Sequence, residues 1–210
     1  MTLIEQNQLT PEGTELIVNN KKYISNSGKN VEKQSIGAAD WVVAIVYDIN
    51  LNFYLVKQFR AGIDKDIVEL PEGKVEVNES PLEAIIRELN EELGLDSKDI
   101  LSVTKLTEGN PCTAYFGNTV HLFKIVIKEN LNLESNNKNV PNEDDISVIK
   151  LNSADIANLM NNSGQTIYMK FLWSIVAPEI GDIDRMTRQK QFEKFQEAQM
   201  AHQMNQPIPV

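Results

Sequence analysis

Residues 73–95, GKVEVNESPLEAIIRELNEELGL, decide the fold of this chain, and their second half has the pattern of an amphipathic helix. Apolar residues recur at the spacing of one helix face: Leu82, Ile85, Ile86, Leu89 and Leu93. Ser80 is a suitable N-cap, and Pro81 suits the first helical position, where its missing N–H is not needed. Gly94 follows the last apolar residue, where a left-handed C-cap is favoured. The sequence therefore predicts a helix over residues 81–93 with the apolar stripe facing inward.

Three glutamates share the polar face of this helix. Glu88, Glu91 and Glu92 stand at i, i+3 and i+4, so their carboxylates repel one another. Arg87 can pair with Glu91 one turn on, which leaves two carboxylates without a counter-charge. A hard divalent cation such as Mg²⁺ or Mn²⁺ takes oxygen ligands and would relieve this repulsion. On the helix alone, a solvated acidic face explains the three residues equally well.

The whole stretch resembles the Nudix box, the loop–helix–loop motif of Nudix hydrolases, because its glycine, glutamate, Arg-Glu, Glu-Glu and Gly-aliphatic positions are all filled. The resemblance implies hydrolysis of a nucleoside diphosphate linked to another group, with Mg²⁺ or Mn²⁺ on the box glutamates. It implies that Glu88 and Glu92 are metal ligands, and that Glu91 is a further ligand or positions water. Glu91 and Glu92 thereby become candidate catalytic residues. Four positions have structural roles in the motif: Gly73, Glu79, Arg87 and Gly94.

The resemblance also implies the fold class, which is α/β with a mixed β-sheet sandwiched between α-helices. The order of predicted elements agrees with it, since strands precede and follow the box helix and apolar helical patterns come late. Residues 41–47, WVVAIVY, have the continuous apolar pattern of a strand buried on both faces. We expect three parts: a small N-terminal β-sheet segment at 1–38, a Nudix hydrolase domain at 39–180 and a C-terminal helical tail at 181–210.

The N-terminal segment has the pattern of a small antiparallel sheet. Strand-like runs at 14–18 and 22–24 are separated by Asn19-Asn20, a turn signal, and a third strand is predicted at 31–36. Three short strands have little core of their own and need something to pack against. In the ADP-ribose pyrophosphatase branch of the Nudix family such a sheet helps to form a homodimer. The resemblance therefore implies a homodimer here, with a floppy extension as the alternative.

Two segments before the box resemble that same branch: QFR at 58–60 and IVELPEG at 67–73. Arg60, at a strand end near a carboxylate-rich site, suits the binding of substrate phosphate, and a surface salt bridge is the alternative. By analogy, Glu69 approaches the metals or the substrate. Glu72 replaces the small residue that is usual before Gly73. Relatives use the backbone carbonyl at this position as a metal ligand, and a carbonyl survives a change of side chain.

Pro111 lies sixteen residues beyond Leu95 (111 − 95), at a marker position of the ADP-ribose branch. Its neighbours Asn110 and Cys112 replace the serine and glycine of the S-P-G pattern, and the acid that follows is absent. These departures weaken the assignment to ADP-ribose itself and leave a related nucleoside diphosphate sugar open. Tyr115 is a candidate for stacking on a base or sugar, with a role in the core as the alternative.

An acidic run, Glu143-Asp144-Asp145, follows an asparagine-rich loop. In the ADP-ribose branch a mobile loop in about this place supplies a glutamate that acts on the attacking water. Glu143 is therefore the candidate general base, with Asp144 and Asp145 as alternates. A carboxylate suits this role beside a metal-bound water, whose pKa is already lowered. A solvated acidic turn is the competing interpretation.

Composition limits the partners and the compartment. The net charge of −10 argues against nucleic acid as the main partner, because phosphate backbones select basic surfaces. A single cysteine, Cys112, excludes an intramolecular disulfide and fits a reducing interior. The first residues lack a signal-peptide pattern, and no apolar run approaches the roughly 18–20 residues of a membrane span. We expect a cytoplasmic protein that binds a small nucleoside diphosphate and neither nucleic acid nor membrane.

The predicted reaction is divalent-metal-dependent hydrolysis of the diphosphate linkage in ADP-ribose or a related nucleoside diphosphate sugar. The products would be a nucleoside monophosphate and a sugar phosphate. One alternative is a Nudix hydrolase of nucleoside triphosphates or dinucleoside polyphosphates. Another is a non-catalytic regulator that binds a nucleotide sugar, which the complete set of box carboxylates disfavours. The acidic charge speaks against a third, an RNA-cap or RNA-end hydrolase.

Overall fold

The computed structural model describes residues 1–9, 17–136, 146–161 and 181. The elements, in chain order, are β1 (Thr2–Leu9), β2 (Ile17–Ile24), β3 (Asn30–Gly37), β4 (Trp41–Asp48), β5 (Asn52–Arg60), β6 (Lys65–Glu69), β7 (Glu72–Lys74), α1 (Pro81–Leu93), a short 3₁₀ helix (Ser97–Asp99), β8 (Ile100–Gly109), β9 (Val120–Ile127), β10 (Ser147–Asn152) and α2 (Ser153–Asn161). The chain divides into two compact units, residues 1–153 and 154–210, and the first contains every one of these strands and α1. The boundaries expected after residues 38 and 180 stay predictions.

The first unit is built on a mixed seven-stranded sheet. Five strands follow the order β10-β5-β4-β9-β8, while β6 pairs with β5 and β7 pairs with β4. The β4–β9 pair is parallel and the other pairs are antiparallel. With α1 and a separate three-stranded antiparallel sheet, this arrangement confirms the predicted α/β class. A late apolar helical pattern, QTIYMKFLWSIVAP at 165–178, lies outside the described residues.

The sheet opens between β4 and β5, and this opening positions the site. The two strands pair only near their connecting turn, at Val46↔Tyr54 and Tyr47↔Phe53. Beyond that point β4 pairs with β7 and β5 pairs with β6. The short link between β6 and β7 is fixed by a hydrogen bond from the Ala44 N–H to the Pro71 carbonyl, 2.9 Å. The end of β5, the segment from β6 to β7 and the second half of the box helix therefore meet at one place.

Helix α1 packs its apolar face on the sheet. Ile85, Leu89 and Leu93 are fully buried in one cluster with side chains of β4 and β9, which include Val42 and Phe123. Burial of a side chain of this size stabilises the fold by roughly 1.5–3 kcal/mol. The predicted stripe is wrong at one position, because Leu82 is 50% exposed. Leu82 stands in the first turn of α1, and Ala84 is buried although it lies outside the predicted stripe.

The N-terminal sheet has the order β1-β2-β3 and differs in its strands from the prediction. Its first strand is Thr2–Leu9, and β2 continues through Asn19-Asn20, where a turn was predicted; residues 14–16 of the predicted first strand lie outside the described residues. Cross-strand amide pairs outweigh the local turn preference. Asn19 Oδ1 accepts hydrogen bonds from the side chains of Gln6 and Gln8, and Asn20 Oδ1 accepts one from Gln34.

This small sheet joins the larger one through the 110–117 loop. The Ile36 N–H donates to the Tyr115 carbonyl, 2.6 Å, and the Gly117 N–H donates to the Ile36 carbonyl, 3.3 Å. The pattern EGNP at 108–111 is typical of a turn, but Glu108 and Gly109 still pair with His121 and Val120 in the β8–β9 ladder. Among the described residues, no helix has the length and apolar character needed to cross a bilayer.

Candidate active site

The box helix has the ends that its sequence predicts. Ser80 is the N-cap, and it forms a reciprocal pair of hydrogen bonds with Glu83: the Glu83 N–H donates to Ser80 Oγ, and the Ser80 N–H donates to the Glu83 carboxylate. Gly94 closes the helix in the left-handed conformation, with φ of 64°. A Cβ at Gly94 would also collide with the backbone carbonyl oxygen of Glu134. Glycine is therefore required here by conformation and by space.

Arg87 links the box loop to the box helix. Its guanidinium donates to both carboxylate oxygens of Glu79 at 2.9 Å each and to the Lys74 carbonyl at 2.8 Å. It also donates to Glu88 at 2.8 Å and to Glu91 at 3.1 Å. The hydrogen bonds with Glu79 raise the pKa of Arg87, so the side chain stays charged. Five donated bonds from one planar group fix the loop against the helix.

Gly73 gives Glu88 its space. Gly73 lies in β7, opposite Val42 of β4, and a Cβ at this position would overlap the Glu88 carboxyl group. Burial raises the pKa of Glu88 despite its contact with Arg87. The glycine that opens the motif therefore lets a carboxylate of α1 lie directly against the β7 backbone.

Glu72 and Glu92 are buried acids with strongly altered titration. They are 9% and 4% exposed, and the Glu72 N–H donates to Glu92 Oε2 at 3.1 Å. Burial, together with the neighbouring Glu88 carboxylate, raises the pKa of Glu92 to about 9. Burial and the nearby Glu69 carboxylate raise the pKa of Glu72 to about 8. In both residues burial and neighbouring carboxylates outweigh the nearby Arg60, which favours the charged form.

Arg60, the last residue of β5, lies between two of these acids. Its Nε donates to Glu69 Oε2 at 2.6 Å and its Nη2 donates to Glu72 Oε1 at 2.9 Å. Gln58 supports the arrangement from the same strand, since its side-chain amide donates to Glu69 Oε2 at 3.4 Å. Pairing between β5 and β6 sets Val56 opposite Glu69, so Glu69 lies beside the second half of β5, where the Arg60 side chain reaches it.

Four acids, Glu69, Glu72, Glu88 and Glu92, thus lie around the opening in the sheet. Their oxygen atoms suit a hard divalent cation, whose positive charge would offset the burial that raises the pKa values of Glu72, Glu88 and Glu92. The described residues nevertheless contain no preformed group of three metal-binding side chains. Three of the acids are held by arginines instead, Glu88 by Arg87, and Glu69 and Glu72 by Arg60. The residues fit a metal, and binding would exchange arginine contacts for metal contacts.

Glu91 differs from the other two box glutamates. Its side chain is 39% exposed and its described ion pair is with Arg87. The side chain of Glu88 is 12% exposed, and Glu92 as a residue is 4% exposed. The three residues share a face of α1, but only Glu88 and Glu92 turn toward the opening in the sheet.

Two predicted substrate residues, Pro111 and Tyr115, form no described hydrogen bond or ion pair with the box carboxylates. Pro111 is exposed, and Tyr115 is 64% exposed and lines a surface depression with residues of the small sheet, including Asn20 and Lys22. Backbone hydrogen bonds connect Tyr115 to Cys112 in its own loop and to Ile36 of the N-terminal segment. Glu143, Asp144 and Asp145 lie outside the described residues.

Sequence reasoning missed the segment that covers the end of α1. The Asn136 N–H donates to the Glu91 carbonyl at 2.8 Å, and its side chain donates to the Asn90 carbonyl at 2.8 Å. Ser135 Oγ donates to the same Glu91 carbonyl at 3.2 Å. These bonds satisfy carbonyls that the helix leaves open. The composition of 130–142 indicates a loop but gives no signal for these partners.

Comparison with known proteins agrees with this geometry. The protein-family model of the NUDIX domain matches residues 39–170 of this chain. The ADP-ribose pyrophosphatase of Bacillus subtilis (strain 168) is 26% identical over 136 residues, which cover 65% of this chain and 70% of that protein. The methanol dehydrogenase activator of Bacillus methanolicus is 36% identical over 69 residues, which cover 32% of this chain and 37% of the activator.

A solved structure described as an ADP compounds hydrolase superposes with a TM-score of 0.67. It is 14% identical and covers 86% of this chain and 94% of its own, so it shows the likeness of the fold. The family match covers well over half of the chain and includes the whole box, from Gly73 to Leu95. The resemblance to the Nudix family is confirmed: this chain belongs to that family and is one of its pyrophosphohydrolases.

Proposed function

We propose that this protein hydrolyses the diphosphate linkage of ADP-ribose or a related nucleoside diphosphate sugar, using Mg²⁺ or Mn²⁺. The products would be a nucleoside monophosphate and a sugar phosphate. The observation that carries the proposal is the set of buried carboxylates around the opening in the sheet, with Arg60 beside them. The named activity of the B. subtilis relative supports this choice of substrate.

The proposed roles follow from position. Glu88 and Glu92 would hold the cation, with Glu72 and Glu91 as further ligands, since carboxylate oxygens are the ligands that Mg²⁺ and Mn²⁺ prefer. The cation, when bound, would neutralise charge on the phosphates and lower the pKa of a water. Arg87 and Glu79 would keep the box helix at a fixed distance from the loop.

Substrate binding and proton transfer fall to other residues. Arg60 would bind phosphate oxygens, because its guanidinium stands at a strand end and can donate two parallel hydrogen bonds. Glu143, or one of Asp144 and Asp145, would accept the proton of the attacking water. Glu69 would orient Arg60. Pro111 and Tyr115 stay proposals for the substrate side, and the exposure of Tyr115 leaves its ring open to a ligand.

The test is a substrate panel with product identification. Wild-type protein is incubated with ADP-ribose, UDP-glucose, GDP-mannose, a dinucleoside polyphosphate and nucleoside triphosphates, each with Mg²⁺ or Mn²⁺. Release of a nucleoside monophosphate and a sugar phosphate is the expected result. Turnover restricted to triphosphates or dinucleoside polyphosphates would overturn the substrate class and keep the chemistry. Binding of a nucleotide sugar without turnover would favour a regulator.

We also propose a cytoplasmic homodimer that is formed through the N-terminal sheet. Strand β1 lies at the edge of the three-stranded sheet, and all eight of its residues are exposed. Leu3, Ile4 and Leu9 are 48%, 52% and 61% exposed, which is an apolar surface that a second copy would cover. Light scattering should give twice the monomer mass for the wild-type protein. Ile4→Asp places a charge on the apolar surface and should lower the measured mass toward that of the monomer. A monomeric wild-type protein would contradict this assembly.

A further inference from the structure

In this structure both nitrogens on the Nε–Nη2 edge of the Arg60 guanidinium donate hydrogen bonds. Nε donates to Glu69 at 2.6 Å and Nη2 donates to Glu72 at 2.9 Å, and both acids are nearly buried with side chains 7% exposed. This edge is one of the two with which an arginine can donate parallel hydrogen bonds to a phosphate. A phosphate oxygen that approached it would find each N–H already donated to a carboxyl group.

Glu72 connects this arginine to the box carboxylates. Its backbone N–H donates to Glu92, and the next residue, Gly73, lies directly against Glu88. Its side chain reaches in the other direction, to Arg60. Glu72 therefore lies between Arg60 and the box carboxylates Glu88 and Glu92. A small residue at this position would leave Arg60 paired with Glu69 alone.

The Glu72 carboxyl group can accept a hydrogen bond from Arg60 or bind a divalent cation, and the divalent cation attracts it more strongly. A divalent ion at Glu88 and Glu92 would lie beside Glu72 and offer two positive charges to its oxygens. A Glu72 carboxylate turned toward that ion would leave Nη2 without its acceptor. Glu69 would keep Nε in place, so the guanidinium would stay oriented while one donor became available.

Building on the proposed function, we propose that Glu72 holds Arg60 in a closed pair until a divalent cation draws its carboxyl group away, so that metal binding prepares the phosphate-binding arginine. Glu72 is thus a positioning residue. It makes binding of a diphosphate depend on prior binding of the metal. A backbone carbonyl cannot do this, because it has no contact with Arg60.

The test measures the chemical reactivity of Arg60 and needs no substrate. Phenylglyoxal, which modifies free guanidinium groups, is applied to wild-type protein in EDTA and across a Mn²⁺ titration, and labelling is read by peptide mass spectrometry. Arg87 serves as the internal reference in each sample. We expect Arg60 to be labelled slowly in EDTA and several-fold faster at saturating Mn²⁺, with Arg87 slow throughout.

Two substitutions of Glu72 test whether its side chain controls the reactivity of Arg60. Glu72→Ala removes the acceptor and should give fast labelling of Arg60 already in EDTA, with no further effect of Mn²⁺. Glu72→Gln keeps an acceptor but is a poor metal ligand, so labelling should stay slow with and without Mn²⁺. Glu76→Ala, an exposed acid in the same loop, should behave as wild type. Thermal melts confirm that each variant is folded.

Two results would overturn the proposal: equal labelling of Arg60 in wild type and both Glu72 variants in EDTA, or no response of the wild type to Mn²⁺. Equilibrium binding of ADP-ribose in EDTA gives a second readout, with about tenfold tighter binding expected for Glu72→Ala, in keeping with a charge-assisted hydrogen bond. Because labelling does not require turnover, a negative substrate panel would refute the proposed function and leave this result to be judged separately.

Discussion

Replacing Glu92 by glutamine, which cannot ionise, should stabilise the metal-free protein. Glu92 is 4% exposed and its pKa is raised to about 9, so the folded protein holds a proton at neutral pH that the unfolded chain has lost. Glu92→Gln keeps the size of the side chain and an oxygen that can accept the hydrogen bond from the Glu72 N–H. The substitution therefore removes the ionisable carboxyl group with little change in packing.

The size of the effect follows from proton linkage. Between the unfolded pKa of 4.5 and the folded value of about 9, the native state binds more protons, so stability falls as pH rises. At pH 7 the loss amounts to about 2.5 pKa units, or about 3 kcal/mol, as an upper bound. For a chain of this length that corresponds to roughly 6–12 °C in Tm.

The assay is thermal unfolding of wild type and Glu92→Gln in EDTA at pH 5, 6 and 7. We expect the variant to be nearly equal to the wild type at pH 5 and clearly more stable at pH 7. The order should reverse with excess Mn²⁺, which would stabilise only the wild type by mass action. Glu76→Gln makes the same chemical change on an exposed residue and serves as control. A variant that is less stable at pH 7 in EDTA, or a difference that does not depend on pH, would refute this reasoning.

Three further substitutions test individual parts of the box. Gly73→Ala should push aside the Glu88 carboxyl group and weaken Mn²⁺ binding at least about tenfold by calorimetry, with unfolding free energy changed by less than about 1 kcal/mol; unchanged Mn²⁺ affinity would contradict the packing argument. Arg87→Lys loses most of five hydrogen bonds and should lower the free energy of unfolding in urea by about 2 kcal/mol, and a neutral effect would show that the loop is held otherwise. Gly94→Ala forces a side chain into the left-handed region and against the Glu134 carbonyl, so calorimetry should show a destabilisation of at least about 1–2 kcal/mol; a Tm equal to that of the wild type would contradict it.

The parts of the fold that depend on local chemistry could be predicted from the sequence. The bounds of α1 follow from Ser80, Pro81 and Gly94, because capping and backbone preference act within a few residues. The burial of β4 follows from its continuous apolar run. Asn19-Asn20 misled the reasoning, since its turn preference is outweighed by side-chain amides from β1 and β3, which are distant in sequence.

In the candidate site too, local sequence predicts some features, and long-range packing decides the others. The motif names the box glutamates, but the burial that distinguishes Glu92 from Glu91 depends on how α1 is rotated against the sheet. The contact between Arg60 and Glu72 depends on the separation of β4 from β5, which no local pattern encodes. Helix packing and strand pairing decide these features, and both are long-range.

In the proposed function, the buried carboxylates hold a divalent cation on which hydrolysis depends. The most direct measurement is the rate of nucleoside monophosphate release from ADP-ribose as Mg²⁺ is titrated into EDTA-treated wild type and Glu92→Gln. We predict no release without metal, a saturable rise in the wild type, and a loss of at least about a hundredfold in the variant at every Mg²⁺ concentration. Release that persists in EDTA, or equal rates in the two proteins, would contradict the account.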